Sequence, residues 1–490
     1  MRVLPGRVLS VLTVPGLRAP RRPWPWATGV GLAAVIISLA GSWIPSYWSD
    51  EVATLRAARL SWGDLFAFLQ HKDAVHTTYY SVMKLWIGVF GESELATRSL
   101  SALAVGVAAA GLVVLVASRD VLRTGVVAGI IFSVLPRTTY LGIESRSFAL
   151  SAAVAVWATV ILLIAARRRT WPWWTAYAAA SAVATYVFLD SVLLLAAHGL
   201  FLLLRPRLRM LWVAWLIAAG GAVVACIPVI VISVQQKEQI AWLADQPVVN
   251  AWTILVEPVF DSSWLVAAMA WVAIIVLIVR HRPRTDLVSL GAAWAVVPPI
   301  LLLAADAAIG PLYAARYLSF TVPGVAILLA VAVTRWPRRI VMLALIGALV
   351  LAGLPTYLGQ RTPIAKNGGS DLAQIADYIR AEAARGDAIY LQDTGSVTLR
   401  PRQALYAYPD AFRHVVDVAF EAPFTATGTF SDQTTAFDRI QPELADVDRI
   451  WVVLGGASVS NAEAVLQPAG FAEVSSHATN RSVIALYERH

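Results

Sequence analysis

Apolar runs of roughly 20 residues, each long enough to cross a bilayer as a helix, follow one another as far as residue 357 and are separated by short arginine clusters. About eleven can be placed, at 27–44, 96–118, 124–140, 147–166, 171–189, 191–204, 211–234, 263–279, 287–305, 318–334 and 339–357. A chain built this way cannot fold in water. With 58% hydrophobic and only 14% charged residues, it has too little polar surface to cover its apolar surface, because ordinary soluble domains are about a quarter charged. The expected class is a polytopic α-helical membrane protein. The net charge of +8 does not imply a nucleic-acid partner, since the arginines lie between apolar runs, where they act as topology signals. The single cysteine, Cys226, lies within an apolar run, so neither a disulfide nor a Cys-based metal site is expected. No metal and no cofactor is expected.

Topology follows from the arginines. Arg2, Arg7, Arg18, Arg21 and Arg22 precede the first run. Later clusters are Arg119 with Arg123, Arg167 to Arg169, Arg205 with Arg207 and Arg209, Arg280 with Arg282 and Arg284, and Arg335 with Arg338 and Arg339. All fall on the cytoplasmic side if the N-terminus (1–26) is cytoplasmic and odd-numbered spans exit outward. The apolar segment 77–90 must then not cross; Lys84 within it suits a helix lying along the outer surface. The segment 252–259, broken by Glu257 and Pro258, is also too short to span. Beyond residue 357 the chain turns polar, with a helical pattern at 371–384 and strand patterns at 388–391, 450–454 and 482–487. These divisions predict a helical membrane domain at 27–357, with an outer juxtamembrane loop at 45–95, and a small extracytoplasmic α/β domain at 358–490.

The chemistry collects on the outer face. Asp50 and Glu51 are adjacent carboxylates at the lipid boundary, beside Tyr47 and Trp48. Ionisable groups held near hydrocarbon are costly to desolvate and mark function, although Asp50 also suits a helix N-cap. The loop continues through His71, Lys72, Asp73, His76, Thr77, Thr78, Tyr79 and Tyr80. His76 has two readings, a proton-transfer group or a backbone partner at the helix start. Arg137, Glu144, Arg146, Asp190, Lys237, Glu238, Arg316 and Tyr317 fall on the same side. Together they predict a polar cavity open at the membrane edge. An arginine there suits a phosphate, whose oxygens match the guanidinium fork, and each also suits an interfacial anchor. No P-loop, GxGxxG or HExxH motif is present, which argues against a nucleotide-driven pump. Charges at one end of the spans, without an inverted repeat, argue against a lipid or solute transporter.

Over residues 27–357 these features resemble the GT-C glycosyltransferases, integral membrane enzymes that take sugar from a polyprenyl-phosphate carrier. The likeness rests on Asp50-Glu51 after the first span, the His76-Thr77-Thr78-Tyr79-Tyr80 turn, Glu94-Leu95-Ala96-Thr97-Arg98, Glu144-Ser145-Arg146-Ser147-Phe148, and Arg316-Tyr317 with Pro323. It is closest to protein O-mannosyltransferases, aminoarabinose transferases and actinobacterial cell-envelope mannosyltransferases, although these carry His-Pro-Pro where this chain has His76-Thr77-Thr78. The resemblance implies a plasma-membrane enzyme moving a sugar, mannose before arabinofuranose, to a lipoglycan or polysaccharide hydroxyl on the outer face. It implies Asp50 as general base with Glu51 as a helper or a structural neighbour, Arg316, Arg146, Lys72 and Lys84 as donor-phosphate ligands, and His76, Asp73, Tyr80, Glu144 and Tyr317 as substrate contacts.

Overall fold

The computed structural model describes residues 23–117, 122–246, 249–281, 285–455 and 460–490. Arg2, Arg7, Arg18, Arg21, Arg22, Arg119, Arg282 and Arg284 lie outside the described residues. The first half contains α1 (Trp24–Leu39), α2 (Ser49–Arg59), α3 (Trp62–Leu69), α4 (Thr77–Phe90), α5 (Glu94–Ala117), α6 (Leu122–Val134), α7 (Pro136–Leu141) and α8 (Phe148–Arg168). It continues with α9 (Trp171–Val187), α10 (Leu193–Leu204), α11 (Trp212–Gln235), α12 (Ala251–Leu255), α13 (Glu257–Phe260), α14 (Trp264–His281), α15 (Asp286–Ile309), α16 (Val322–Thr334) and α17 (Arg339–Gly359). Every apolar run expected to span is helical, and among the described residues six helical segments are long and apolar enough to cross a membrane.

Two helix ends differ from the sequence pattern for local reasons. The first helix stops at Leu39, because Gly41 takes a positive φ of 75° ahead of Pro45. The run 124–140 divides at Leu135, which is extended (ψ 134°) because Pro136 follows it. That break starts α7 afresh and brings Arg137, Glu144 and Arg146 onto one end of the bundle. Close helix contacts support this arrangement. A Cβ on Gly106 of α5 would lie 2.4 Å from Val35 and 2.8 Å from the Gly31 carbonyl of α1, so these two backbones touch. A Cβ on Gly142 would lie 2.4 Å from the Ser38 hydroxyl, which seats the loop that follows α7. The segment Ala315–Thr334 is 89% buried at the centre, whereas α17 is only 17% buried and presents Ile340, Leu343 and Leu351 outward, the face a bilayer would cover.

The C-terminal part opens with α18 (Leu372–Glu382) and holds β1 (Ala388–Leu391), β2 (Val416–Asp417), β3 (Phe420–Ala422), β4 (Gln433–Thr434), β5 (Arg449–Gly455), β6 (Phe471–Ala478) and β7 (Ser482–Arg489). Five strands form one sheet in the order β2-β1-β5-β7-β6, and β3 pairs with β4 in a separate ribbon. β1 runs parallel to β2 and β5, while β7 is antiparallel to β5 and β6. Ile375 and Ile379 of α18 pack on Ile389, Trp451 and Ile484, and Tyr47, Val52 and Leu55 from the first juxtamembrane stretch join the same apolar cluster. The sheet domain thus shares its core with α2, the helix that begins at the Asp50-Glu51 pair.

Candidate functional site

Trp48 is extended and caps α2, so Asp50 and Glu51 fall in the first turn and Arg56 and Arg59 in the last, the arrangement the helix dipole favours. Asp50 does not act as the cap. Its Oδ2 lies 3.4 Å from Nη1 of Arg316, and both side chains keep 28% of their surface exposed. Arg316 sits in the 3₁₀ turn Ala315–Thr321, its guanidinium 5.6 Å from the ring centre of Trp48, 5.0 Å from Trp242 and 5.9 Å from Tyr317. Aromatic faces favour a cation there. Tyr317 in turn packs between Phe148 and Phe188.

Arg146 is the second cation. Its Nη1 lies 3.3 Å from the Asp50 carbonyl and 3.4 Å from both the Thr54 hydroxyl and the Tyr80 hydroxyl. Its Nη2 donates to Nε2 of His76 at 2.9 Å. A guanidinium can only donate, so His76 accepts through Nε2 and carries its proton on Nδ1. Burial, reinforced by the positive charge of Arg146, holds His76 well below its ordinary 6.5. Burial alone would lower the pKa of Arg146, yet the Tyr80 oxygen and the Asp50 carboxylate outweigh it and keep the group firmly charged. Among the described residues no carboxylate pairs directly with Arg146, which leaves its charge available to an anion.

The His71–His76 turn is fixed from two directions. Tyr80 donates its hydroxyl to Asp73 at 2.7 Å. Asp73 has a positive φ of 57°, and its N–H donates to Gln239 Oε1 at 2.8 Å. Gln236 Oε1 accepts the Ala74 N–H at 2.9 Å, while its amide donates to the Leu69 and Gln70 carbonyls. Nothing in the sequence marked Gln236 or Gln239, since a neutral amide after an apolar run is a weak signal.

Glu51 turns the other way. It is fully buried and takes Arg98 in a two-pronged pair at 2.9 and 2.7 Å, with the Ser145 N–H at 2.8 Å. Arg98 spends its remaining donors on the Ser42, Pro45 and Ser46 carbonyls, which close the turn between α1 and α2. Burial raises the Glu51 carboxyl, but the Arg98 charge and its hydrogen bonds overcome this and hold it below 4.5. Glu144 is buried as well; its carbonyl accepts the Ser101 hydroxyl at 2.6 Å, and burial raises its carboxyl above 4.5. Lys84 donates to the Ala58 and Leu60 carbonyls, the C-terminal end of α2, and lies over the Trp62 ring. Lys72 donates its backbone N–H to Phe68, and no side-chain contact joins it to the Asp50 cluster among the described residues. The structure therefore brings together Asp50, His76, Asp73, Tyr80, Arg146, Arg316 and Tyr317, with Glu51 and Glu144 beneath them.

The sheet domain supplies a roof. The Arg56 guanidinium lies between the rings of Tyr406 and Phe424, at 3.5 and 4.1 Å, and pairs with Asp432 at 2.8 Å. Asp432 also accepts the Phe424 N–H and faces Arg402, which pairs with Asp417. Phe424 and Phe430 pack edge-on against Phe68, and Phe430 reaches the ring of Tyr80.

No family model matches the sequence, and no curated protein matches it. Helical bundle, juxtamembrane helices and small C-terminal sheet together make a GT-C-type membrane fold. Among solved structures the chain is similar to ArnT from Cupriavidus metallidurans bound to undecaprenyl phosphate, with a TM-score of 0.60 and 15% identity over 94% of this chain and 97% of that one. ArnT from the same organism in the apo state matches with a TM-score of 0.55 over the same shares of both chains.

Proposed function

We propose that this chain is a membrane glycosyltransferase that moves a sugar, mannose in the first instance, from a polyprenyl-phosphate carrier to a hydroxyl of a cell-envelope glycolipid or polysaccharide on the outer face of the plasma membrane. The observation that carries this reading is the meeting of one part-exposed carboxylate, Asp50, with Arg316 at its side chain and Arg146 at its backbone carbonyl, at the end of a membrane bundle. Asp50 takes the proton from the acceptor hydroxyl as that oxygen attacks the anomeric carbon, and the bond from this carbon to the phosphate oxygen breaks. The leaving polyprenyl phosphate gains negative charge, which fixed guanidinium groups stabilise more than they stabilise the intact donor. Arg146 suits that task because its direct hydrogen-bond partners are neutral groups and, among the described residues, no carboxylate is in direct contact with it. Glu51 acts as a positioning residue that ties α2 to Arg98 and to the loop bearing Arg146. A groove of about 310 Å³ is lined by Phe66, Leu69, Thr77, Thr78, Pro228 and Ile232, Thr77 being the residue after His76 in sequence, and its apolar walls suit the isoprenoid tail. ArnT, which shares the fold, binds undecaprenyl phosphate, and this supports the choice of carrier.

The test supplies membranes with labelled polyprenyl-phosphate mannose or polyprenyl-phosphate arabinofuranose and follows label into endogenous glycolipid and polysaccharide. Transfer from the mannose donor, reduced about 10²–10⁴-fold by Asp50→Asn, is expected. Transfer from the arabinofuranose donor alone changes the sugar and keeps the class, and an unaffected Asp50→Asn variant overturns the assignment of the base.

A further inference from the structure

Lys366 is one of only four lysines in the chain, and the chemistry above makes no use of it. It lies in the link between α17 and α18 and is completely buried. Among the described residues its ammonium has no hydrogen-bond partner, and it sits 3.9 Å above the centre of the Tyr140 ring. Its backbone cannot swing away, since its carbonyl accepts the Gly369 and Ser370 N–H groups at 3.0 and 2.8 Å. An unpaired buried ammonium is costly, so some nearby charge must compensate it. The charged groups that face it are Glu144 from the loop after α7, Glu51 from α2, Arg98 from α5 and Asp261 from the turn after α13. Glu51 is already paired with Arg98, and Asp261 is 3.3 Å from Arg137. Glu144 is the carboxylate left over.

We propose that Lys366 is a positioning residue of the transferase site: its buried charge balances Glu144 and thereby holds the 144–146 loop, with Arg146, against Asp50. The loop is also tied by the Ser101 hydroxyl on the Glu144 carbonyl, by the Ser145 N–H on Glu51, and by the Arg146 side chain on the Asp50 carbonyl, Thr54, Tyr80 and His76, but none of these contacts answers the charge of the Glu144 carboxylate. An uncompensated Glu144 carboxylate would have to take up a proton or move toward water, and either change displaces Arg146, two residues on. The link to the sheet domain would in this way report on the donor site. Burial pushes the Lys366 ammonium below its ordinary 10.5, and the Glu144 charge opposes that shift.

The inference rests on the proposed transferase reading, and two measurements separate them. The first needs no substrate: thermal unfolding in detergent of wild type, Lys366→Met, Glu144→Gln and the double variant. Met preserves the shape of the lysine stem, so packing is kept while charge is lost. The double variant should recover at least half of the midpoint lost in Lys366→Met; losses that simply add overturn the pairing. The second is donor KM. Lys366→Met should raise it about tenfold, a modest loss of binding free energy, while Lys366→Arg stays within about threefold of wild type. A wild-type KM in Lys366→Met overturns the proposal. If Lys366→Met does not accumulate, accumulation of the double variant supports the pairing. If neither accumulates, Lys366→Arg decides: a preserved midpoint and KM support a role for charge, and their loss overturns it. If wild type transfers no sugar, the transferase reading fails, and the unfolding cycle still decides the pairing.

Discussion

Two neighbouring carboxylates, Asp50 and Glu51, meet opposite fates because successive helix residues point about 100° apart. Asp50 stays part-exposed and pairs loosely with Arg316, whereas Glu51 points into the bundle and is locked to Arg98. Their substitutions should therefore separate cleanly. Asp50→Asn removes a part-exposed ion pair, worth at most about 1 kcal/mol, so the unfolding midpoint should barely move while turnover collapses. Glu51→Gln leaves the Arg98 charge buried and half-paired, which costs about 3–5 kcal/mol; a clearly lowered midpoint is expected, and an unchanged one would refute the positioning role. The pH dependence has the matching sign. The folded-state pKa of Glu51 lies below its ordinary 4.5, so its stabilisation is complete above that value and is lost as pH falls through the depressed one. Wild type should lose stability on acidification below about pH 4.5 more steeply than Glu51→Gln, as unfolding followed against pH would reveal. The sequence displayed the pair but not the division of labour, because one missing residue of phase would have exchanged the two.

At the scale of elements, periodicity and arginine clusters made the spans legible, and the arginine parity together with Lys84 marked 77–90, the α4 helix, as distinct from them. The breaks at Gly41 and Pro136 were legible as residues but not as consequences, since only the packed bundle reveals that they deliver Arg137 and Arg146 to one end. The docking of the sheet domain on α2 was not legible at all. It depends on Arg56 meeting Asp432, Tyr406 and Phe424 across more than three hundred residues of sequence, and no local pattern encodes a pairing of that separation. Breaking it should be costly, because Arg56 would remain buried between two rings. Asp432→Asn is expected to destabilise by about 3 kcal/mol or more and to increase proteolysis of the 423–434 segment in folded protein. Phe430→Ala leaves the ion pair intact and removes the ring packed against Tyr80. It should lower turnover by loosening the hydroxyl that contacts Arg146, with a smaller loss of stability than Asp432→Asn. Equal stability losses in the two variants would mean that the roof acts only through packing.

For the whole molecule the decisive quantity is orientation, which the bundle geometry fixes only relative to itself. The sheet domain and the Asp50 cluster lie together, joined through the apolar core shared by α2 and α18, so one measurement on the sheet orients both. The arginine turns between spans, including Arg205 and Arg207, gather at the other end if parity holds, and positively charged loops are retained in the cytoplasm. The chain suits the experiment because Cys226, its single cysteine, is buried and can be replaced by alanine to give a silent background. Ser476→Cys places a thiol on the exposed part of β6, and Arg207→Cys places one in the exposed turn after α10. In intact cells a membrane-impermeant maleimide should label the first and not the second, and lysis should make the second reactive. The reverse pattern would put Asp50 on the cytosolic side, where an outer-face acceptor is out of reach, and the proposed reaction would then have to be abandoned even though every contact in the site remained as described.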